Sequence, residues 1–175
     1  MRNWLGPILF GLIVAVATAW AAVLYIPYGL KNVAMDRLGQ GGVNALSYGN
    51  LANPQRQPVV RPTPALAYSS CPYDLSNGPI AIDVTPVPGR YSSLSIFDAA
   101  TDVIFVRNDV EAAGKPYRIV VARDGQAVPA GAEVVRTTHD RGIALIRLLL
   151  RDPAEIGGLD AARRQSSCAP VTNKK

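Results

Sequence analysis

The pattern of apolar and polar positions divides the chain into two unlike parts. No charged residue occurs between residues 3 and 30, and Lys31 ends that run. Residues 4–26, WLGPILFGLIVAVATAWAAVLYI, are 23 uncharged and mostly apolar positions. At 1.5 Å rise per residue they suffice to cross a hydrocarbon core of about 30 Å. Trp4, Trp20, Tyr25 and Tyr28 lie toward the ends of the run, where amphipathic rings favour the headgroup zone. Pro7 falls in the first turns, where a missing N–H costs little, whereas Pro27 predicts a kink or an end. Residues 31–40 continue as a short amphipathic helix with Val33, Met35 and Leu38 apolar, so 1–38 reads as anchor plus juxtamembrane helix. Gly39-Gln40-Gly41-Gly42 then breaks the pattern.

Residues 39–64 carry Pro54, Pro58, Pro62 and Pro64 among polar residues, which predicts an extended, proline-containing linker. From residue 65 to 175 short apolar runs are bounded by turn residues, the signature of a β domain. The expected strands are 67–73, 80–84, 91–97, 103–107, 117–122, 133–136 and 143–150. Ser76-Asn77-Gly78-Pro79, Gly114-Lys115-Pro116, Asp124-Gly125 and Asp140-Arg141-Gly142 are among the turn signals between them. Such regular spacing predicts a mainly β fold, an antiparallel sandwich or jelly-roll-like domain. One short helix closes it. Asp152-Pro153-Ala154-Glu155 supplies an N-cap, a first-turn proline and an acid three residues on, leading a helix toward Gln165.

The N-terminal run admits two readings, an uncleaved anchor and a cleaved signal peptide. Met1-Arg2 forms a basic n-region and Ala19-Trp20-Ala21 resembles a cleavage site. Against cleavage, apolar sequence continues to Ile26 without a polar segment, well past the roughly 7–15 residues of a signal core. The anchor is the expectation: a single span in a bacterial inner membrane. Positive charges flanking the run are nearly balanced, so they do not orient it. Gly11, Ala15, Ala19 and Ala22 recur on one helical face, a pattern that either lets a second helix approach closely or reflects common alanine.

The two cysteines, Cys71 and Cys168, fit no zinc or thioredoxin-type spacing. Both lie beside polar or turn residues, and in an oxidising compartment a disulfide is the expected state, with Cys168 in a tail behind the closing helix; two buried, unrelated thiols are the alternative. That bond would put the domain in the periplasm. The net charge of +5 invites a nucleic-acid reading, but residues 39–175 hold 15 Lys+Arg against 12 Asp+Glu, and the arginines are spread singly. Phosphate tracking needs a concentrated basic face, so no nucleic-acid partner is expected.

Within residues 61–107 the sequence resembles a known family. Arg61-Pro62-Thr63-Pro64-Ala65-Leu66-Ala67-Tyr68-Ser69-Ser70 is similar to the RPNPDTLYSS motif that opens the domain-of-unknown-function 1254 family. Tyr73-Asp74-Leu75-Ser76-Asn77-Gly78-Pro79 resembles its DLSKGP, and Gly89-Arg90-Tyr91 with Phe97-Asp98-Ala99 resembles its GRYYSFQFLDA. Val128-Pro129-Ala130-Gly131 and Arg136-Thr137-Thr138 fit its later part. The short form with one span, Cys71 and a late Cys168 looks like a membrane-anchored bacterial subgroup. The resemblance implies a mostly β domain and a companion of the 1214-type family, which is fused to it in longer relatives. It implies no reaction. Thr63 and Ala65 stand where the motif has Asn and Asp, so any chemistry those groups serve in relatives is absent here.

Candidate chemistry is sparse. His139 is the single histidine, and with Ser69 or Ser70 and Asp140 it sketches a hydrolase triad, yet no nucleophile elbow is present and its surroundings read as a solvated turn. One histidine and two distant cysteines cannot supply three or four metal ligands, so neither metal nor cofactor is expected. Asp98 and Asp102 are either paired carboxylates or an Asx-type turn. Arg61 and Tyr68 lie in the family-like motif and, with Asp98 and Asp102, form the candidate ligand-binding set. The expected function is a membrane-anchored periplasmic interaction module that is not itself an enzyme and acts with a 1214-type partner. The alternative is a small-molecule-binding or hydrolytic domain completed by a partner.

Overall fold

The computed structural model describes residues 4–38, 41–51 and 63–171. The chain opens with one helix, α1, over Leu5–Leu38. Within it Leu5–Met35 has a mean hydropathy of 2.3 with none of its most apolar stretch buried, enough by length and composition to cross a membrane. A membrane anchor and a signal sequence both meet that criterion. Pro27 lies inside α1 and does not end it, so of the kink or end the sequence predicts, the end does not occur. A proline forfeits one backbone hydrogen bond, a loss that an apolar helix of this length tolerates.

Among the described residues nine strands follow: β1 (Ser47–Tyr48), β2 (Leu66–Asp74), β3 (Ile80–Val84), β4 (Ser92–Phe97), β5 (Val103–Asn108), β6 (Tyr117–Arg123), β7 (Val134–Thr137), β8 (Arg141–Leu149) and β9 (Ser167–Pro170). They form a five-stranded antiparallel sheet, β1-β2-β8-β4-β5, and a four-stranded sheet, β7-β6-β3-β9. In the second sheet β6 and β7 run parallel, the one departure from an antiparallel sandwich. All seven strands expected from the sequence are present, with ends displaced by no more than two residues. The two unforeseen strands are edge pieces: β1 is too short to show a period, and β9 is only four residues with a proline at its end.

Alternation explains how the sheets stack. Ile80, Ile82 and Val84 of β3, Leu94 and Ile96 of β4, Ile119 and Val121 of β6, and Ala144 and Ile146 of β8 fill one core between the sheets. Cys71 and Cys168 lie in that core and are bonded, Cα atoms 6.4 Å apart. Cys168 is therefore not in a tail behind the closing helix: it belongs to β9, which pairs with β3, and the disulfide joins one sheet to the other. A smaller cluster of Ala67, Val87, Leu148 and Leu150 is covered by Ile156, Leu159 and Ala162, residues of α2 (Ile156–Arg163). A single 3-10 turn, Pro153–Glu155, leads into α2 with the expected capping box.

Two residues in the central strands need explanation. Pro72 lies inside β2, yet its carbonyl faces the β1 side and accepts from Asn44 N–H. Its missing N–H would point the same way, so the ladder to β8 loses nothing. Gly142 of β8 has no room for a side chain, because a Cβ there would collide with the Phe97 carbonyl and the Tyr73 hydroxyl. The expected linker lies largely outside the described residues, namely 39–40 and 52–62. Its described part is tied to β2 by the Asn44, Gly49 and β1 hydrogen bonds.

Candidate functional site

Strand register places one polar group on the outer face of the five-stranded sheet. Tyr68 of β2, Arg147 of β8, Ser93 of β4 and Asn108 of β5 stand directly opposite one another in a row across four strands. The next row is Ser70, Leu145, Ser95 and Val106. Residues opposite each other in a ladder share a face, and Leu94, Ile96, Ile146 and Leu148 between them point inward. Arg147 Nη2 donates to Ser95 Oγ at 2.6 Å. Arg147 Nε and Ser93 Oγ are buried without a hydrogen-bond partner. Ser93 itself is 3% exposed. Among the described residues no carboxylate pairs with Arg147; the arginines that form ion pairs are 90, 107, 118, 123, 141, 163 and 164.

A second polar group lies at the other end of β4. Asp98 Oδ1 accepts from the backbone N–H of Ala100 at 2.8 Å and of Asp102 at 3.0 Å, closing an Asx-type corner between β4 and β5. Asp98 Oδ2 lies 3.1 Å from His139 Nδ1. The imidazole is thus held by a buried carboxylate and is not a freely solvated turn residue, and its acid is Asp98, while Asp140 pairs with Arg123. On the far side of the ring Tyr28 Oη lies 3.5 Å from Nε2, bringing α1 to this corner. Ser69 and Ser70 sit opposite Ile146 and Leu145, far along the strand from the loop that carries His139, so the sketched triad does not assemble. Beneath the corner Tyr73 donates to the Phe97 carbonyl at 2.9 Å; burial, reinforced by the Asp98 charge, raises its hydroxyl pKa. Asp74, at the end of β2, is partly desolvated, but hydrogen bonds from Ser76 and Arg141 hold its carboxyl below the usual value.

Of the four candidate ligand residues, the three described ones do not lie together. Asp98 and Asp102 share one corner, with the Asp102 side chain exposed. Tyr68 stands five residues along the sheet and two strands across it, about 19 Å away at strand spacing. Arg61 lies outside the described residues. Sequence reasoning missed Arg147, Ser93 and Ser95. The signal was present: Arg147 is the one charge in the apolar run 143–150, and serines alternate with Leu94 and Ile96 in β4.

The second sheet has an outer trough floored by Ala81, Val120 and Ala169 and walled by residues 129–132. Its charges, Asp83 and Arg118, are paired with each other at 2.6 Å.

Comparison with known proteins identifies the domain. The family described as "Protein of unknown function (DUF1254)" matches residues 43–170, and the chain belongs to that family. No curated protein matches the chain. Among solved structures it is similar to the VPA0106 protein from Vibrio parahaemolyticus, with a TM-score of 0.60 and 14% identity over 87% of this chain. It is also similar to an uncharacterized protein from Burkholderia cenocepacia, with a TM-score of 0.46 and 19% identity, covering 63% of this chain and 32% of that one. The chain spans 41% of the length of the Vibrio protein. At 14% identity that likeness speaks for the fold alone.

Proposed function

We propose that this member of the DUF1254 family is a single-pass inner-membrane protein whose β domain stands in the periplasm as a non-enzymatic interaction module, acting with a 1214-type partner. The observation that carries the reading is the pairing of an apolar helix, its most hydrophobic stretch unburied, with an interior disulfide in one chain. The helix suits a lipid environment, and a lasting disulfide suits an oxidising compartment. Leu5 to Ile26 spans about 33 Å of helix, one hydrocarbon thickness. Tyr28, just beyond, meets His139, so the domain is drawn close to the membrane surface.

Catalysis has little support at the Asp98–His139 pair. Among the described residues the imidazole's hydrogen-bond partners are Asp98, Tyr28 and Thr138, and no serine or cysteine stands at Nε2 as nucleophile. The test is co-expression of the full chain with a 1214-type envelope protein, followed by purification in mild detergent. A stoichiometric complex is expected, weakened by Ala15→Leu with Ala19→Leu if the small-residue ridge is the contact. Elution of the chain alone from such a preparation would count against the partner.

A further inference from the structure

We propose that the outer face of the five-stranded sheet binds a carboxylate with a short apolar tail, its head on Arg147, Ser93 and Ser95. Two buried groups there are unmet, the Arg147 Nε–H, which can only donate, and the Ser93 hydroxyl opposite it, which can donate as well as accept. Ser95 Oγ accepts from Arg147 Nη2 and ties the guanidinium to β4. A cationic donor beside a hydroxyl able to donate suits an acceptor that carries negative charge. Buried groups of this kind are costly when left unpaired, so their persistence in a central row of the sheet is the mark of a site.

The site's surroundings select the class of anion. Arg147 is the single cation of its two rows; Tyr68, Asn108, Ser70, Leu145 and Val106 complete them. One guanidinium matches one carboxylate in charge and in fork geometry, whereas a phosphate dianion gathers several cations. Beyond the head, Val106 and Val103 on β5 are each 54% exposed and offer an apolar surface of a few carbons' length. Asn108 and Tyr68 close the ends of the polar row without adding charge.

The test uses the full chain in detergent, titrated at constant ionic strength with sodium hexanoate, with hexanamide and with inorganic phosphate. Affinity is read by calorimetry, and the Arg147 Nε–H resonance is followed by nitrogen-15 NMR. Hexanoate is expected to bind saturably and to move that resonance. Hexanamide, its neutral isostere, and phosphate should each bind about tenfold more weakly or worse. Ser93→Ala should weaken hexanoate several-fold without disturbing the fold, and Arg147→Lys, which keeps charge but loses the fork, should weaken it further. Equal binding of hexanamide would make the surface merely apolar, and tighter phosphate would change the ligand class; either overturns the proposal. So would hexanoate binding that Ser93→Ala and Arg147→Lys leave unchanged, or no saturable shift at all.

Discussion

Asp98 is the residue on which the β4–β5 corner depends. Its Oδ1 satisfies two backbone amides and its Oδ2 fixes the His139 ring, while Thr101 between them sits at φ 71°. A β-branched residue in the left-handed region is strained by about 1–3 kcal/mol and stays there only if its neighbours hold it. Asp98→Ala should therefore cost about 1–3 kcal/mol, because two amides lose their acceptor in a half-buried corner. Asp98→Asn keeps the Oδ1 acceptor and should cost clearly less. Urea unfolding of both variants measures the difference, and equal losses would show that the His139 contact, not the amides, is what matters. The sequence spacing Asp98–Asp102 carried the Asx-type turn legibly, because that bond is local. The partnership of Asp98 with His139, 41 positions away, was not legible, since only the folded sheet brings β4's end to the β7–β8 loop.

At the scale of elements, local signals were strong wherever an element was long enough to show its period. Strand 80–84 alternates plainly and 143–150 is a short apolar run after a turn signal, and their inward residues form the core. Edge strands β1 and β9 escaped because two to four residues are too few to show a period, and their pairing is decided by β2 and β3. The start of the 3-10 turn that leads into α2 was legible to the residue. Asp152 accepts from Ala154 N–H at 2.8 Å, and Glu155 accepts from Arg151 N–H at 3.0 Å while Arg90 grips it at 2.8 Å. Asp152→Ala should cost about 1 kcal/mol, the usual worth of a cap. The Arg151 amide first, and then Arg90, hold the Glu155 carboxyl below its ordinary value. With the folded pKa below the unfolded one of about 4.3, the stabilisation is complete above that unfolded value and is lost as pH falls through the folded pKa. Glu155→Gln should thus be less stable than wild type at pH 7, and the gap should be narrower at pH 3. Urea unfolding at both values checks the sign; a gap that widens in acid would reverse it.

At the scale of the whole molecule, one covalent bond links both sheets and dates the compartment in which the domain folds. Cys71 is fully buried and Cys168 is 7% exposed, so the bond forms only as the sandwich closes and is shielded from reductant afterwards. Its two ends are 97 residues apart. In the loop-entropy model, closing a loop of that size is worth about 4–5 kcal/mol, though measured values centre nearer 2–4. Against a domain stability of about 5–15 kcal/mol, the double change Cys71→Ser with Cys168→Ser should lower the denaturation midpoint severely while leaving the strand pattern intact. The same bond reports on topology. Cells carrying the full chain, lysed in denaturant with a maleimide and no reductant, should yield protein with both cysteines unlabelled. Prior reduction should expose two. If both label without reduction, the domain resides in a reducing compartment, and the periplasmic placement falls together with the orientation of α1. If neither labels but a reporter fused after Lys175 is active only in the cytoplasm, the bond has formed without export and no longer argues for the envelope.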